Sequence, residues 1–297
     1  MIKSYNSMKL YSYWFLLPAG LVFAVFFVLP TLSSFVLAFT NWNSYQGDVF
    51  SSKFIGFDNF VKIFSDRSLS IAFKNTFLFA ILTTVLKCVF GLLLALLVNA
   101  KLKTAGYLQT MFFAPSILSS VAIGLIFLAM YNPSYGLVNE VLGFIGLDFL
   151  KNDWLGNLDL VMYSVIMVEV WKWTGYNMVI FMAGLKAIPE VYYEAAMIDG
   201  CGRWQRFRYV TFPLLQGSLN INLILGVISG LKVFEIVYAI TGGGPGFATE
   251  TFNSVIYKKF AEGYFGLSTA AGMLLFLIIA VIAFALNSYL MRKEVEV

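Results

Sequence analysis

Tyr193–Pro213 reads YEAAMIDGCGRWQRFRYVTFP, a polar, basic, glycine-punctuated stretch set between two strongly apolar runs. In a chain that is 60% hydrophobic, with a mean hydropathy of +0.80, such an island leaves the membrane and sits in water. Pro189, just upstream, opens a helix, because its missing N–H is not needed in the first turn. Gly200 closes that helix in a left-handed conformation. A second short helix runs from about Arg203 to Val210 before Phe212-Pro213 ends it. Val191, Ala195 and Ile198 fall at i, i+4 and i+7, one face of the first helix. The product is a helix–glycine–helix elbow whose small-residue side fits a groove on a partner.

Composition sets the class around this elbow. The chain has 297 residues, of which 12% are charged and 18% aromatic, and it contains no His. A soluble domain carries about a quarter charged residues, so this is a polytopic, all-α membrane protein. A net charge of +4 argues for no nucleic-acid partner. Cys88 lies in an apolar run and Cys201 in the elbow; two cysteines and no His exclude a disulfide framework and a Cys/His metal site by number. The absence of His also removes the usual general base, and no nucleophile–base constellation is present.

A helical span needs about 20 apolar residues. Six segments qualify: Tyr13–Phe39, Ile71–Val98, Tyr107–Tyr131, Leu158–Leu185, Leu219–Ile240 and Leu267–Leu290. The first holds Pro18 and Pro30 and is long for one crossing, so a kink or an interfacial lead-in is expected; Pro115 is expected to bend the third. No small-residue cleavage site follows the first run, which is too long for a signal peptide and reads as a retained span. With the N-terminus inside, segments 1–12, 100–106, 186–215 and 291–297 carry 10 Lys/Arg in 56 residues, against 6 in 82 for segments 41–70, 132–157 and 241–266. The positive-inside rule then places both termini and the elbow in the cytoplasm. The expected layout is a cytoplasmic N-terminus (1–12), a six-helix transmembrane domain (13–290) with the elbow at about 187–215, and a cytoplasmic tail (291–297).

Charged residues within spans are costly unless paired or hydrated. On the fourth span Glu169 and Lys172 are i, i+3; Trp173 and Tyr176 extend the same face, and Asn177 lies adjacent. On the fifth, Lys232 and Glu235 are again i, i+3, while Lys87 is alone on the second. One reading is that each pair neutralises itself on an interior-facing helix. The other is a hydrated midplane site, where aromatic rings stack on a sugar and Asn, Lys and Glu bond its hydroxyls. Lys87 is expected to face a polar cavity or a partner subunit. The outer loops carry Trp42, Tyr45 and Phe50, then Tyr131, Tyr135, Phe144, Phe149 and Trp154, readable as interfacial anchors or as a docking surface.

The run Thr241-Gly242-Gly243-Gly244-Pro245-Gly246 is not a phosphate loop, because no G-x-x-x-x-G-K-[S/T] occurs in the chain. On composition it is a turn that ends a helix. Two motifs, however, carry a family resemblance. Glu194-Ala195-Ala196, three residues, Gly200, nine residues and Val210-x-Phe212-Pro213 together resemble the EAA loop of ATP-binding-cassette importer membrane subunits. Val210 stands where the pattern usually has Ile, Phe212 where it has Leu, and Cys201 replaces a common Ala. The glycine run with Ala248-Thr249-Glu250-Thr251 resembles a signature of the carbohydrate-importing branch, the maltose and multiple-sugar type. The resemblance covers residues 170–270 well and the N-terminal third mainly by hydropathy.

That resemblance implies the type I importer permease fold and a cytoplasmic-membrane location in a bacterium or archaeon. It implies that Glu194, Ala195, Ala196, Asp199, Gly200, Arg203, Phe207 and Pro213 couple to an ATPase. Further expected partners are a second homologous permease, two ATPase subunits carrying ATP and Mg, and an extracytoplasmic sugar-binding protein docking near Gly243, Gly244 and Pro245. No cofactor is expected on this chain. The substrate is expected to be a sugar; another polar solute such as glycerol phosphate remains open, as does a self-contained secondary sugar transporter.

Overall fold

The computed structural model describes residues 13–100 and 103–292. The expectations for 1–12 and for most of 291–297 lie outside the described residues. The chain divides into two compact units, one of residues up to Ser65 with Ile256–Leu274, the other of Asp66–Val255 with Leu275 onward.

In the first unit, helix α1 (Trp14–Leu37, 24 residues) is apolar throughout and long enough to cross a membrane. The helix opens with a 3-10 turn over Tyr13–Leu16. The irregularity expected from the prolines takes the form of a π turn over Ala24–Val28, with the Leu29 N–H bonded to the Ala24 carbonyl, five residues back. Pro30 has no N–H to give and its ring crowds the carbonyl four residues back; the wider turn relieves that crowding. The end of α1 is closed by Asn59 of α2 (Asp58–Ser65), whose amide donates to the carbonyls of Ala38 at 2.9 Å and Thr40 at 2.8 Å. Trp42 rests on Phe265, ring centroids 4.5 Å apart, so it is a packing residue; Tyr45 and Phe50 are exposed.

The second unit is built on α3 (Arg67–Asn99), a 33-residue helix started by Asp66, whose carboxylate accepts from the Ser68 N–H at 2.8 Å. Around it lie α4 (Ala105–Ile117), α5 (Ser120–Met130), α6 (Leu137–Phe144) and α7 (Val161–Ala187). Next come α8 (Glu190–Ile198), α9 (Arg203–Leu214), α10 (Gln216–Leu231) and α11 (Glu235–Thr241). Helices α12 (Phe252–Ala261) and α13 (Phe265–Met291) follow, with their residues from Ile256 to Leu274 belonging to the first unit. In the segment between α5 and α7 Tyr131 and Trp154 turn inward, the Trp154 Nε1 donating to Asn139 at 2.8 Å, whereas Tyr135, Phe144 and Phe149 are exposed.

Two expected spans are broken. The third does not bend at Pro115: α4 runs through it, the chain goes extended at Leu118, and α5 leaves at 96°. The fifth is interrupted at Lys232–Phe234, between α10 and α11, and α10 itself meets α9 at 63°. By length and apolarity, α1, α3 and α13 could each cross a membrane, as could the two bent pairs if each is one span. Helix α7 has the same 27 residues as α13 but carries the charged side chains singled out above.

Those side chains mark a level. One apolar cluster joins Phe79, Ile123, Val165, Ile166, Val170 and Val237. A second joins Ala95, Val98, Met178, Phe181, Leu185 and Leu215. On α7 the first ends at Val170 and the second begins at Met178, about 12 Å further along at 1.5 Å per residue.

A candidate ligand cavity and a coupling elbow

Three charged residues meet where the apolar clusters part. Glu169 of α7 and Lys87 of α3 are both buried, at 6% and 2% exposure, and form an ion pair at 3.8 Å. The i, i+3 neighbour Lys172 goes elsewhere: its Nζ donates to the Ser120 hydroxyl at the start of α5 and lies 4.8 Å from the Trp173 ring centroid. The reading in which Glu169 and Lys172 neutralise each other along one helix gives way to an ion pair between helices. The two opposite charges in neighbouring spans were a signal for it that spacing along one helix does not carry. The Lys232–Glu235 spacing also loses its helical meaning, because the chain is not helical between them.

A cavity of about 260 Å³ opens at this level, lined by Ser120, Glu169, Trp173, Ser229, Lys232 and Glu235, with apolar residues from Val233 to Ile236 completing it. Four of the seven expected ligand residues, from α7 and from the break between α10 and α11, thus share one wall. Lys172 does not line it but touches two residues that do, Ser120 and Trp173. Tyr176 packs edge-on against Trp173, centroids 5.8 Å apart, and Asn177 is buried with its amide on the Trp173 carbonyl at 3.0 Å; neither lines the cavity. Ser120 and Ser229 were not singled out in the sequence, where mid-span serines carry no signal of their own.

The elbow forms as a Schellman turn. Gly200 has φ +75°, the Cys201 N–H bonds to the Ala196 carbonyl at 2.9 Å, and the Gly200 N–H to that of Met197 at 3.1 Å; this is the left-handed helix stop that favours glycine. Pro189 stands one residue earlier than expected, as the extended cap before Glu190. The second helix does not end at Pro213. A π turn over Phe207–Thr211 takes up the missing donor, and helix continues over Phe212–Leu214. The Tyr193 hydroxyl meets that of Thr211 at 3.1 Å, tying the two arms.

Glu194, Ala195, Asp199, Gly200 and Arg203 are exposed, Phe207 and Pro213 are half-buried, and Ala196 faces inward. Ile198 at 87% and Trp204 at 73% give the tip an apolar surface; Trp204, which rests on Phe207 with centroids 5.5 Å apart, was not anticipated.

The glycine run is braced rather than loose. Gly242 ends α11 with φ +60°. The Thr249 hydroxyl donates to the Gly244 carbonyl at 2.7 Å, and Asn75 of α3 donates to the carbonyls of Phe247, Ala248 and Glu250 at 3.0–3.2 Å. Gly243 is buried, Gly244 and Pro245 half-buried, and Gly246 and Phe247 form the exposed tip.

Residues 87–295 match the family model described as the binding-protein-dependent transport system inner membrane component. The chain belongs to that family. This permease is 34% identical over 278 residues to the trehalose/maltose transport system permease protein MalF of Thermococcus litoralis, covering 93% of this chain and 91% of that one. It is 31% identical over 276 residues to the multiple sugar-binding transport system permease protein MsmF of Streptococcus mutans, covering 93% of each. Its structure superimposes with a TM-score of 0.82 on a chain of a bacterial alginate ABC transporter, solved in complex with an alginate pentasaccharide-bound periplasmic protein, at 26% identity over 96% of both chains.

Proposed function

We propose that this permease is one half of the translocation pathway of an ATP-driven sugar importer, with six crossings and both termini cytoplasmic. The observation that carries the ligand assignment is the convergence of Glu169, Trp173, Lys232 and Glu235 on one cavity between two apolar clusters. The Trp173 ring offers a stacking face for a sugar's C–H groups, the two carboxylates accept from hydroxyls, and Lys232 donates. Two carboxylates against one ammonium on the wall favour a neutral polyhydroxylated ligand over a phosphate ester. Ligand pockets usually measure about 300–1,000 Å³, so a smaller one suits a wall completed by a second homologous permease.

On this reading the elbow docks on a separate ATPase subunit, which holds ATP and Mg, and carries the closure of the ATPase dimer into the spans. The loaded extracytoplasmic binding protein meets the tip beside Gly243, Gly244 and Pro245. The test is uptake of labelled maltose by the purified complex in liposomes. ATP- and binding-protein-dependent uptake is expected; uptake by this chain without the ATPase would make it a secondary transporter.

A further inference from the structure

Glu169 lines the cavity and Lys87 does not, although the two form one ion pair. Lys87 reaches Glu169 from α3, and its side chain is 3% exposed against 8% for the carboxylate. The pair is therefore polarised with respect to the cavity: negative end on the wall, positive end behind it, walled off by helix packing. Lys172 is held on Ser120, so it is Lys87 that stands at ion-pair distance from the Glu169 carboxylate.

We propose that Lys87 is a positioning residue for the cavity, holding the Glu169 carboxylate so that the wall presents a fixed, negatively charged acceptor to the ligand. A buried carboxylate needs a partner to stay ionised in so apolar a setting. A partner inside the cavity would compete with the ligand for the same oxygens; one behind the wall does not. The ligand chemistry this selects is a hydroxyl donor approaching Glu169. The site is that of the proposed function, but its charge can be read without any sugar.

The test places a reporter thiol on the wall, Ser229→Cys, in a background with Cys88→Ala and Cys201→Ser, within the assembled complex. The readout is the ratio of labelling rates with a cationic and a neutral methanethiosulfonate of similar size. Glu169→Gln is expected to lower that ratio about tenfold, as loss of a nearby unit charge at intermediate dielectric should, and Lys87→Gln, which leaves the carboxylate without the partner that holds it and keeps it ionised, to lower it as well, by less. The exchange Lys87→Glu with Glu169→Lys restores the pair but reverses the wall, so the ratio is expected to fall further while thermal unfolding stays near that of the parent. A ratio raised or left unchanged by Lys87→Gln would overturn the proposal, as would an unchanged ratio in the exchange variant; the single changes decide if the exchange variant does not assemble. A parent complex that labels as expected but takes up none of a panel of labelled mono- and oligosaccharides counts against the sugar assignment and leaves the role of Lys87 standing.

Discussion

Gly91 of α3 lies so close to Asn177 of α7 that a Cβ on residue 91 would stand 2.8 Å from the Asn177 Cβ and 3.2 Å from its carbonyl carbon. Small residues are what let membrane helices approach at backbone distance. The seam sits about one turn along α3 from Lys87 and at the start of the second apolar cluster on α7, so it sets how closely the two helices that carry Lys87 and Glu169 dock.

Gly91→Ala is accordingly expected to destabilise the complex by about 1–3 kcal/mol, the range for overpacking a tight contact. A fall of several degrees in thermal unfolding is the expected result. Gly20, with nothing within 4 Å of its missing Cβ, is the control whose replacement by Ala should change little.

For the cavity, Trp173→Ala is expected to reduce uptake at least tenfold by removing the stacking face, with assembly intact. Asn177→Ala is expected to act through the seam instead, lowering thermal stability more than it lowers uptake per assembled complex. Comparing initial uptake rates with unfolding temperatures for the two variants separates these roles.

Asn75 holds three carbonyls of the 247–250 segment. Asn75→Ala leaves them without that donor, at a cost on the order of 1 kcal/mol, the net worth of a typical hydrogen bond where water can reach the groups. The expected result is faster hydrogen exchange across residues 246–250 and weaker capture of the loaded binding protein, with the elbow unaffected.

The charge distribution makes a separate claim about sidedness. In the cysteine-free background, Gly246→Cys is expected to react with an impermeant thiol reagent in intact cells, and Arg206→Cys only after the membrane is opened. The reverse pattern would invert the assigned orientation.

The elbow was legible because its chemistry is local: a proline, a glycine and the spacing between them set a Schellman turn without help from the rest of the chain. Continuation of helix through Pro213 was not legible, since the π turn that absorbs the proline depends on Thr211 being buried against Tyr193. The polar layer was legible as a level on α7, where charges interrupt an apolar run. Its pairing was not: whether Glu169 meets Lys172 or Lys87 is decided by how α3 docks on α7. Breaks at Leu118 and at Lys232–Phe234 escaped for the same reason: Ser119-Ser120 at the first and Lys232 at the second are residue types that also occur within unbroken helices of this chain, and only packing distinguishes a bent span from a straight one. Asn177 was grouped with Trp173 by adjacency, but one step round the helix turns it to Gly91.

The central claim is that the elbow transmits ATPase motion to the spans, and Gly200 tests it most directly. A side chain there meets nothing within 4 Å in this chain, so within the fold it costs only the left-handed strain, on the order of 1 kcal/mol. Asn tolerates that conformation and Val does not. The measurement is ATP hydrolysis by reconstituted complexes, with and without sugar-loaded binding protein, for the parent, Gly200→Asn and Gly200→Val. The account predicts that Gly200→Asn keeps most of the stimulation, whereas Gly200→Val assembles and hydrolyses ATP at the basal rate but loses it. Parental stimulation in Gly200→Val would contradict the coupling role of the elbow.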